Sequence, residues 1–416
     1  MPEIINTLNK KAEILAPAGS YDKLRYAVHY GADAVYLGGT AYNLRVRAGN
    51  FTDAELEAGL NFCRENKVKT IFLLNAFLHE DDLTPLNEYI RAIKKLNFDA
   101  FMVSDPGMLL ALRDAGINTE FHLSTQMNTL NRMAVKFWQE VGFSRIVLGR
   151  EVSLEEIKSI RSHTNIELEI FAHGALCVAY SGRCLLSRYL SGRDANQGDC
   201  VQPCRWNYKL VEEKRPGKYL DIFEHERGTE ILSSKDLCLI ERLPEYIAAG
   251  VNSFKIEGRM KSLYHAANTT RLYAQARDTA GTNEFNELLP FWQNELDLVS
   301  HRPYTADLFN EFNEDIFTGV PYINKAMFMG YKLNAGQDAR HAEIKTANPI
   351  YRDDELDAIF PLDKKIRDAS FRVMRILDST GAEVEMARPN GLYTIVFNAD
   401  VDDYAIFRKR TEQVNI

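Results

Sequence analysis

No stretch of this 416-residue chain approaches the roughly 18 apolar residues in a row that a membrane span needs. Its first residues, Met1-Pro-Glu-Ile-Ile-Asn-Thr-Leu-Asn-Lys-Lys11, lack the apolar core of a signal peptide. The expected compartment is therefore the reducing cytoplasm, where thiols stay free instead of pairing as disulfides. A positive charge excess is also missing. The formal net charge of −8 argues against a protein that coats nucleic acid without specificity, so any basic face must be sought locally. No repeat of solenoid period and no low-complexity tract is found. Neither a His-Glu-x-x-His zinc pair nor a Gly-x-Ser-x-Gly nucleophile elbow is present, which leaves the two most readable protease chemistries without a motif.

What is present is a globular composition, 45% hydrophobic and 26% charged, with room for one large domain of about 250 to 300 residues and a smaller one. Short apolar runs alternate with amphipathic stretches of helical length. The runs are Ile14-Leu-Ala16, Ala34-Val-Tyr-Leu37, Thr70-Ile-Phe-Leu-Leu74, Ala100-Phe-Met-Val103, Glu120-Phe-His-Leu123, Arg145-Ile-Val-Leu148, Ile166 to Phe171 and Ser253-Phe-Lys-Ile256. Helices fit between them at Tyr21 to Tyr30, Asp53 to Glu65, Leu83 to Leu96 and Leu154 to Ser162, the last opened by a Ser153/Glu156 capping box. Eight such units predict an α/β fold, a TIM-type (β/α)8 barrel, with a doubly wound sheet as the weaker alternative.

A barrel places chemistry at the strand C-termini, here Asn75, Ser104-Asp105, Ser124-Thr-Gln126, Arg150-Glu151, His173 and Glu257-Gly-Arg259. Ordinary loop polarity explains part of that set. His173, Glu257, Arg259 and Lys261, at the ends of strands seven and eight, are the candidates for substrate anchoring and proton transfer. The expected domains are a barrel over 1–280, interrupted by a Cys-rich basic insertion over 174–232, a helical connector over 281–320, and a C-terminal all-β barrel over 321–416.

Five of the six cysteines lie in one stretch: Cys177, Cys184, Cys200, Cys204 and Cys238. Their spacing, x6, x15, x3 and x33, matches neither paired C-x2-C zinc knuckles nor the tight ferredoxin run. Five thiols gathered beside glycines and arginines nevertheless read as a metal or iron–sulfur site, with Arg183, Arg188, Arg193 and Arg205 placed to offset thiolate charge. Cys63, on an amphipathic helix, reads as a core residue. Residues 177–218 hold eight Lys or Arg against four Asp or Glu, interleaved with Tyr180, Tyr189, Trp206 and Tyr208. Cations with stacking rings suit unpaired RNA bases, and a solvated charged loop is the plainer reading.

The stretch Glu169-Ile-Phe-Ala-His-Gly-Ala-Leu-Cys-Val-Ala-Tyr-Ser-Gly-Arg-Cys-Leu-Leu-Ser187 resembles the signature of the collagenase-like peptidases, family U thirty-two. Leu15 to Ser20, Gly31 to Gly38, Gly192 to Trp206, Ser234 to Cys238 and Lys255 to Lys261 extend the resemblance across the barrel. For its characterised bacterial members the resemblance implies iron–sulfur-dependent, oxygen-independent hydroxylation of the tRNA wobble uridine, of a ribosomal RNA base or of a quinone precursor. Prephenate is the implied hydroxyl source for the RNA members. The Cys200–Arg205 insertion and the C-terminal β domain are most similar to those of the tRNA group. Cys177, Cys184 and Cys200 match the shared ligand positions of a 4Fe-4S cluster, and both Cys204 and Cys238 are available as the fourth. Arg183, Arg188, Arg193, Arg205 and Trp206 are the expected RNA contacts. The partners on this reading are the tRNA anticodon loop, a small-molecule hydroxyl donor and a possible partner subunit, with no membrane. Two other classes stay open: a cysteine peptidase using a thiolate paired with His173, and an RNA-binding scaffold with structural zinc.

Overall fold

The computed structural model describes residues 11–45, 50–176, 185–193, 195–197, 199–203, 235–306, 322–333, 339–361 and 369–411, and the backbone of four short strands between 210 and 230. The first seven strands are β1 (Glu13–Pro17), β2 (Ala34–Leu37), β3 (Lys69–Leu74), β4 (Ala100–Val103), β5 (Glu120–Leu123), β6 (Arg145–Val147) and β7 (Glu167–Ala175). Two antiparallel hairpins follow, β8 (Leu210–Val211) with β9 (Tyr219–Leu220) and β10 (Phe223–His225) with β11 (Gly228–Glu230). Then come β12 (Asp236–Cys238) and β13 (Ser253–Ile256). β13 pairs in parallel with both β1 and β7, and this closes an eight-stranded barrel of β1 to β7 and β13. Parallel strands covered on both faces are largely apolar, which is why the runs read as hydrophobic segments, and the charged residues they do carry, such as Arg145, Glu169 and Lys255, pair with one another inside the barrel.

The covering helices are α1 (Tyr21–His29), α2 (Asp53–Glu65), α3 (Glu80–Ile93), α4 (Pro106–Asp114), α5 (Arg132–Val141) and α6 (Leu154–Arg161), then the short α7 (Leu186–Ser191) and α8 (Leu243–Ala248), and finally α9 (Leu263–Asp278) and α10 (Asn283–Asp297). Local chemistry sets their starts. Thr52 and Ser153 form capping boxes with Glu55 and Glu156, while Ser20, Asp105, Asn131 and Ser262 each accept an N–H of the first turn. The third helix begins at Glu80, ahead of the expected Leu83, because the Asp82 carboxylate accepts the His79 N–H at 2.7 Å and satisfies the helix entrance there. No helix among the described residues is long and apolar enough to cross a membrane.

One strand is unexpected. β7 runs past the barrel rim, and β12 pairs with its end antiparallel, setting Asp236 opposite Ala175 and Cys238 opposite His173. β14 (Tyr304–Thr305) then adds in parallel to β12.

The C-terminal unit comprises β15 (Ala326–Lys332), β16 (His341–Thr346), β17 (Ile350–Tyr351), β18 (Glu355–Ile359), β19 (Ala369–Leu377), β20 (Met386–Ala387), β21 (Leu392–Phe397) and β22 (Ile406–Arg410). Six of these close a second barrel in the order β15-β16-β21-β19-β18-β22 around Ile344, Leu356, Val373, Ile395 and Phe407. It packs on α1 and α9 through a cluster that joins Tyr26, Tyr30 and Tyr264 to Tyr331, Ile359 and Ile406. Within that contact Arg408 is fully buried and donates to both oxygens of Glu295 at 2.8 Å and to the Tyr264 hydroxyl at 2.9 Å.

Candidate active site at the barrel mouth

On one side of the barrel the strand-end polar groups satisfy one another. Asn75 Nδ2 donates to Ser124 Oγ at 3.5 Å, Ser104 Oγ donates to the Asn75 carbonyl at 3.2 Å, and Thr125 Oγ1 donates to the Leu148 carbonyl at 3.2 Å. Asp105 is engaged in capping α4. This half of the rim is a hydrogen-bonded collar.

The half formed by β2, β7 and β13 differs. Arg259 runs inward over Gly38 and donates Nη2 to Asn43 Oδ1, while its Nε and Nη1 are buried with no hydrogen-bond partner among the described residues. A Cβ at Gly38 would fall 2.3 Å from Arg259 Nη1, so only glycine leaves room for the guanidinium there. Burial, reinforced by Arg45, pulls the Arg259 pKa down to about 10. Glu257 is half-buried, with Arg45 Nη2 at 3.9 Å. Lys261 is half-buried, its Nζ 4.4 Å from the centre of the Tyr322 ring.

Beneath the mouth, Lys255 points into the lumen with its Nζ 3.4 Å from Glu169, 4.6 Å from the Tyr36 ring and 5.3 Å from the Phe171 ring. Burial lowers its pKa, and Glu169 and Glu257 offset that only in part. Deeper in the barrel, Arg145 lies 2.5 Å from Glu13, 2.6 Å from Glu167 and 3.2 Å from Glu169. Burial alone would raise the Glu13 carboxyl, but the guanidinium overrides it and holds the acid ionised. Tyr36, Asn43, Arg45 and Lys255 escape the sequence reading. The available signal was a lysine inside an apolar strand run, since a buried strand admits one only where a partner or a ligand compensates.

His173 sits behind the mouth. The pairing of β7 with β13 shifts register between Lys255 and Ile256, so β7 bulges as it reaches His173. The ring packs beside His265, Tyr273 and Tyr304, with Tyr273 and His265 supplied by α9. Burial drives its pKa well below the usual value, with His265 adding to the effect, so the imidazole is neutral. The Tyr273 hydroxyl accepts the Leu239 N–H at 3.0 Å and donates to the Ala172 carbonyl at 2.8 Å, leaving Cys238 Sγ at 3.8 Å. Burial pushes the Cys238 thiol up to about 11. A neutral thiol beside a neutral imidazole is not an activated nucleophile pair.

Of the other cysteines, Cys200 is half-buried, and its Sγ accepts the Gln202 N–H at 3.3 Å. Cys177, Cys184 and Cys204 lie outside the described residues, as do Arg183, Arg205 and Trp206. Arg193 is held by Asp199 at 2.6 Å. Arg188 is exposed on α7 beside Tyr189, which is 85% exposed. Among the described residues no three His, Cys, Asp or Glu side chains converge as ligands to one metal. Cys63 is fully buried in the barrel core.

By its closed parallel sheet, and by the gathering of polar side chains at the C-terminal ends of the strands, the protein is a TIM-type barrel. Within that class it belongs to peptidase family U32, whose sequence profile matches residues 19–316. It is 37% identical over 402 residues to the tRNA hydroxylation protein P1 of Bacillus subtilis, covering 95% of this chain and 94% of that one. It is 34% identical over 368 residues to the 23S rRNA 5-hydroxycytidine synthase of Escherichia coli, covering 84% of this chain and 52% of that protein. Identity to a collagenase of Porphyromonas gingivalis is 34% over 306 residues, covering 70% and 72% respectively.

Proposed function

We propose that this chain is an RNA hydroxylase that acts on C5 of the tRNA wobble uridine without molecular oxygen, using an iron–sulfur cluster and prephenate as the hydroxyl source. The observation that carries this reading is the extent of one likeness. Similarity to a protein named for tRNA hydroxylation runs over 95% of this chain and 94% of that one, whereas similarity to the collagenase covers 70% of this chain. Cys238, which β12 sets opposite His173, is pushed up to about 11 by burial and is not an activated peptidase nucleophile, whereas Cys177, four residues past His173, lies outside the described residues.

A cluster held by Cys177, Cys184, Cys200 and either Cys204 or Cys238 would supply an electron-transfer or substrate-anchoring centre. Cys204 is the nearer of the two in sequence to Cys200 and is the fourth ligand on this reading, with Cys238 the alternative. Arg188 and Tyr189 on α7 offer a phosphate contact and an exposed ring for stacking, to which Arg183, Arg193, Arg205 and Trp206 of the same insertion would add. A wobble base is already unpaired in its loop, which lowers the cost of turning it into the barrel mouth. There Glu257 is the acceptor for a proton, Arg259 and Lys261 anchor charge, and His173 in its neutral form positions α9 against the rim.

Protein purified without oxygen is expected to carry about four irons and four sulfides per chain. Cys177→Ser should lose them, and nucleoside mass spectrometry of tRNA from a strain carrying only that variant should show no 5-hydroxyuridine derivatives. Full modification by the variant would overturn the reading. Gelatin hydrolysis by the wild type, lost in the same variant, would establish the peptidase activity instead.

A further inference from the structure

The outer wall of the first barrel carries one helix that the fold leaves largely uncovered. Of the ten residues of α5, Val135 alone is buried, whereas α1 and α2 each bury four and α3 and α4 three. Its outward face presents Met133, 66% exposed, and one turn on Phe137, 55% exposed. The Phe137 ring stands edge-on to Trp138 with the centroids 4.9 Å apart, and Trp138 is braced in turn by Phe143 at 5.8 Å, so the exposed aromatic is held in a fixed place. On the neighbouring α4, Arg113 donates to the Val141 carbonyl at the end of α5 at 2.6 Å, and Leu110, one turn earlier, is 60% exposed. Apolar side chains grouped on one wall mark a contact surface, as scattered ones do not.

The charges of α5 point to what covers it. Helices α1, α2, α3 and α6 carry acidic residues in the first turn and basic ones in the last, as the helix dipole favours. α5 has neither: Arg132 is its first residue and Glu140 its last but one, so each sits at the end that disfavours it. Within the chain Glu140 lies 3.7 Å from Lys136, one turn back, and Arg132 donates to His163 at 2.8 Å, both at the surface, where such pairs contribute little. An antiparallel copy of the same helix supplies better partners. Its Glu140 faces this Arg132, its Arg132 faces this Glu140, and each positive N-terminus lies beside a negative C-terminus. The same alignment lays Met133 of each copy against Phe137 of the other. We propose that α5, with α4 beside it, is the contact of a two-fold homodimer of this chain, in which antiparallel α5 helices bury Met133 and Phe137 and pair Arg132 with Glu140 across the axis. Barrel helices run antiparallel to the strands, so two barrels joined in this way point in opposite directions and their mouths open on opposite sides of the dimer. The face belongs to the helices after β4 and β5, across the ring from α1 and α9 where the second barrel sits, so the two contacts do not compete. The inference stands apart from the proposed reaction.

Sedimentation velocity of the full-length chain, from about 1 to about 100 micromolar, is expected to show a species of twice the chain mass that dissociates on dilution. Phe137→Asp should raise the dissociation constant about thirtyfold or more, because a charge replaces an aromatic anchor at the centre of the contact. Glu140→Lys sets like charges across both ends of the helix pair and should weaken the dimer about tenfold. Its far-ultraviolet circular dichroism should match that of the wild type, since a lysine suits the end of a helix. Adding Arg132→Glu to Glu140→Lys reverses both partners at once and should restore the association of the wild type, which only a contact of this helix with its own copy requires. If Phe137→Asp does not fold, the single and double charge exchanges carry the test. The proposal is overturned if the wild type stays monomeric across that range, which would leave the face to a partner of other sequence. It is equally overturned if the dimer withstands both single substitutions, or if the double exchange associates as weakly as Glu140→Lys.

Discussion

His265 donates its Nε2 proton to the Glu257 carbonyl at 2.9 Å, and burial, reinforced by Lys261, holds its pKa down to about 4. The unfolded chain takes up a proton below the ordinary histidine pKa of about 6.5, which the fold refuses until about 4. Its contribution to stability is therefore complete above about pH 6.5 and is lost as the pH falls towards about 4, a change of about 3 kcal/mol. His173, shifted in the same direction, adds to the slope. Urea denaturation across that window should show His265→Gln with a flatter pH profile than the wild type. An unchanged slope would mean that the histidine is not neutral in the fold. At this scale the sequence was informative about position and silent about partners. Arg259 and Glu257 could be placed at the end of a strand from the chain alone, but Asn43 and Arg45, in the loop after β2, gave no sign that they meet them.

The eight barrel strands could be read from the sequence because burial on both faces leaves short, mostly apolar runs that recur at regular spacing between helical stretches. β12 could not, since three residues, Asp236-Leu-Cys238, carry no period, and their partner is the distant end of β7. What holds β12 in place is an ion pair. Both oxygens of Asp236 are used by Arg302, Oδ1 by Nε at 2.9 Å and Nη2 at 2.7 Å, and Oδ2 by the backbone N–H at 3.2 Å. The two side chains are 3% and 2% exposed. Asp236→Asn removes the carboxylate charge that faces the buried Arg302 guanidinium and should cost about 3 to 5 kcal/mol in denaturant titration. Because Cys238 and the backbone beside His173 belong to the same ladder, the variant should also loosen the back of the mouth. A loss below about 1 kcal/mol would show that the strand is held by its backbone pairing alone.

The contact between the two barrels is both apolar and charged. Tyr26 donates to the Lys332 carbonyl, and the Tyr30 hydroxyl lies 2.8 Å from the carbonyls of Ile359 and Tyr404. Glu295, 3% exposed, joins Arg408 of the second barrel to Arg271 of α9. Glu295→Gln should therefore cost about 3 to 5 kcal/mol and lower the melting of both units together, in one calorimetric transition. Two separate transitions would show that the units fold independently. A second β unit could be foreseen from its short alternating strands, but its seat on the first could not, because tyrosines on helix faces read equally well as ordinary surface.

That seat lies on α1 and α9, the helices that follow β1 and β13, and these two strands are where the first and last turns of the barrel join. The seam between β1 and β13 is where the first and the last strand of the ring meet, with no short connection to hold them together. Here that place is clasped from outside by the second barrel. Amide hydrogen exchange should accordingly be slowest at β1 and β13 and faster on the opposite wall at β4 and β5, so that when the barrel breathes it opens away from its own ends.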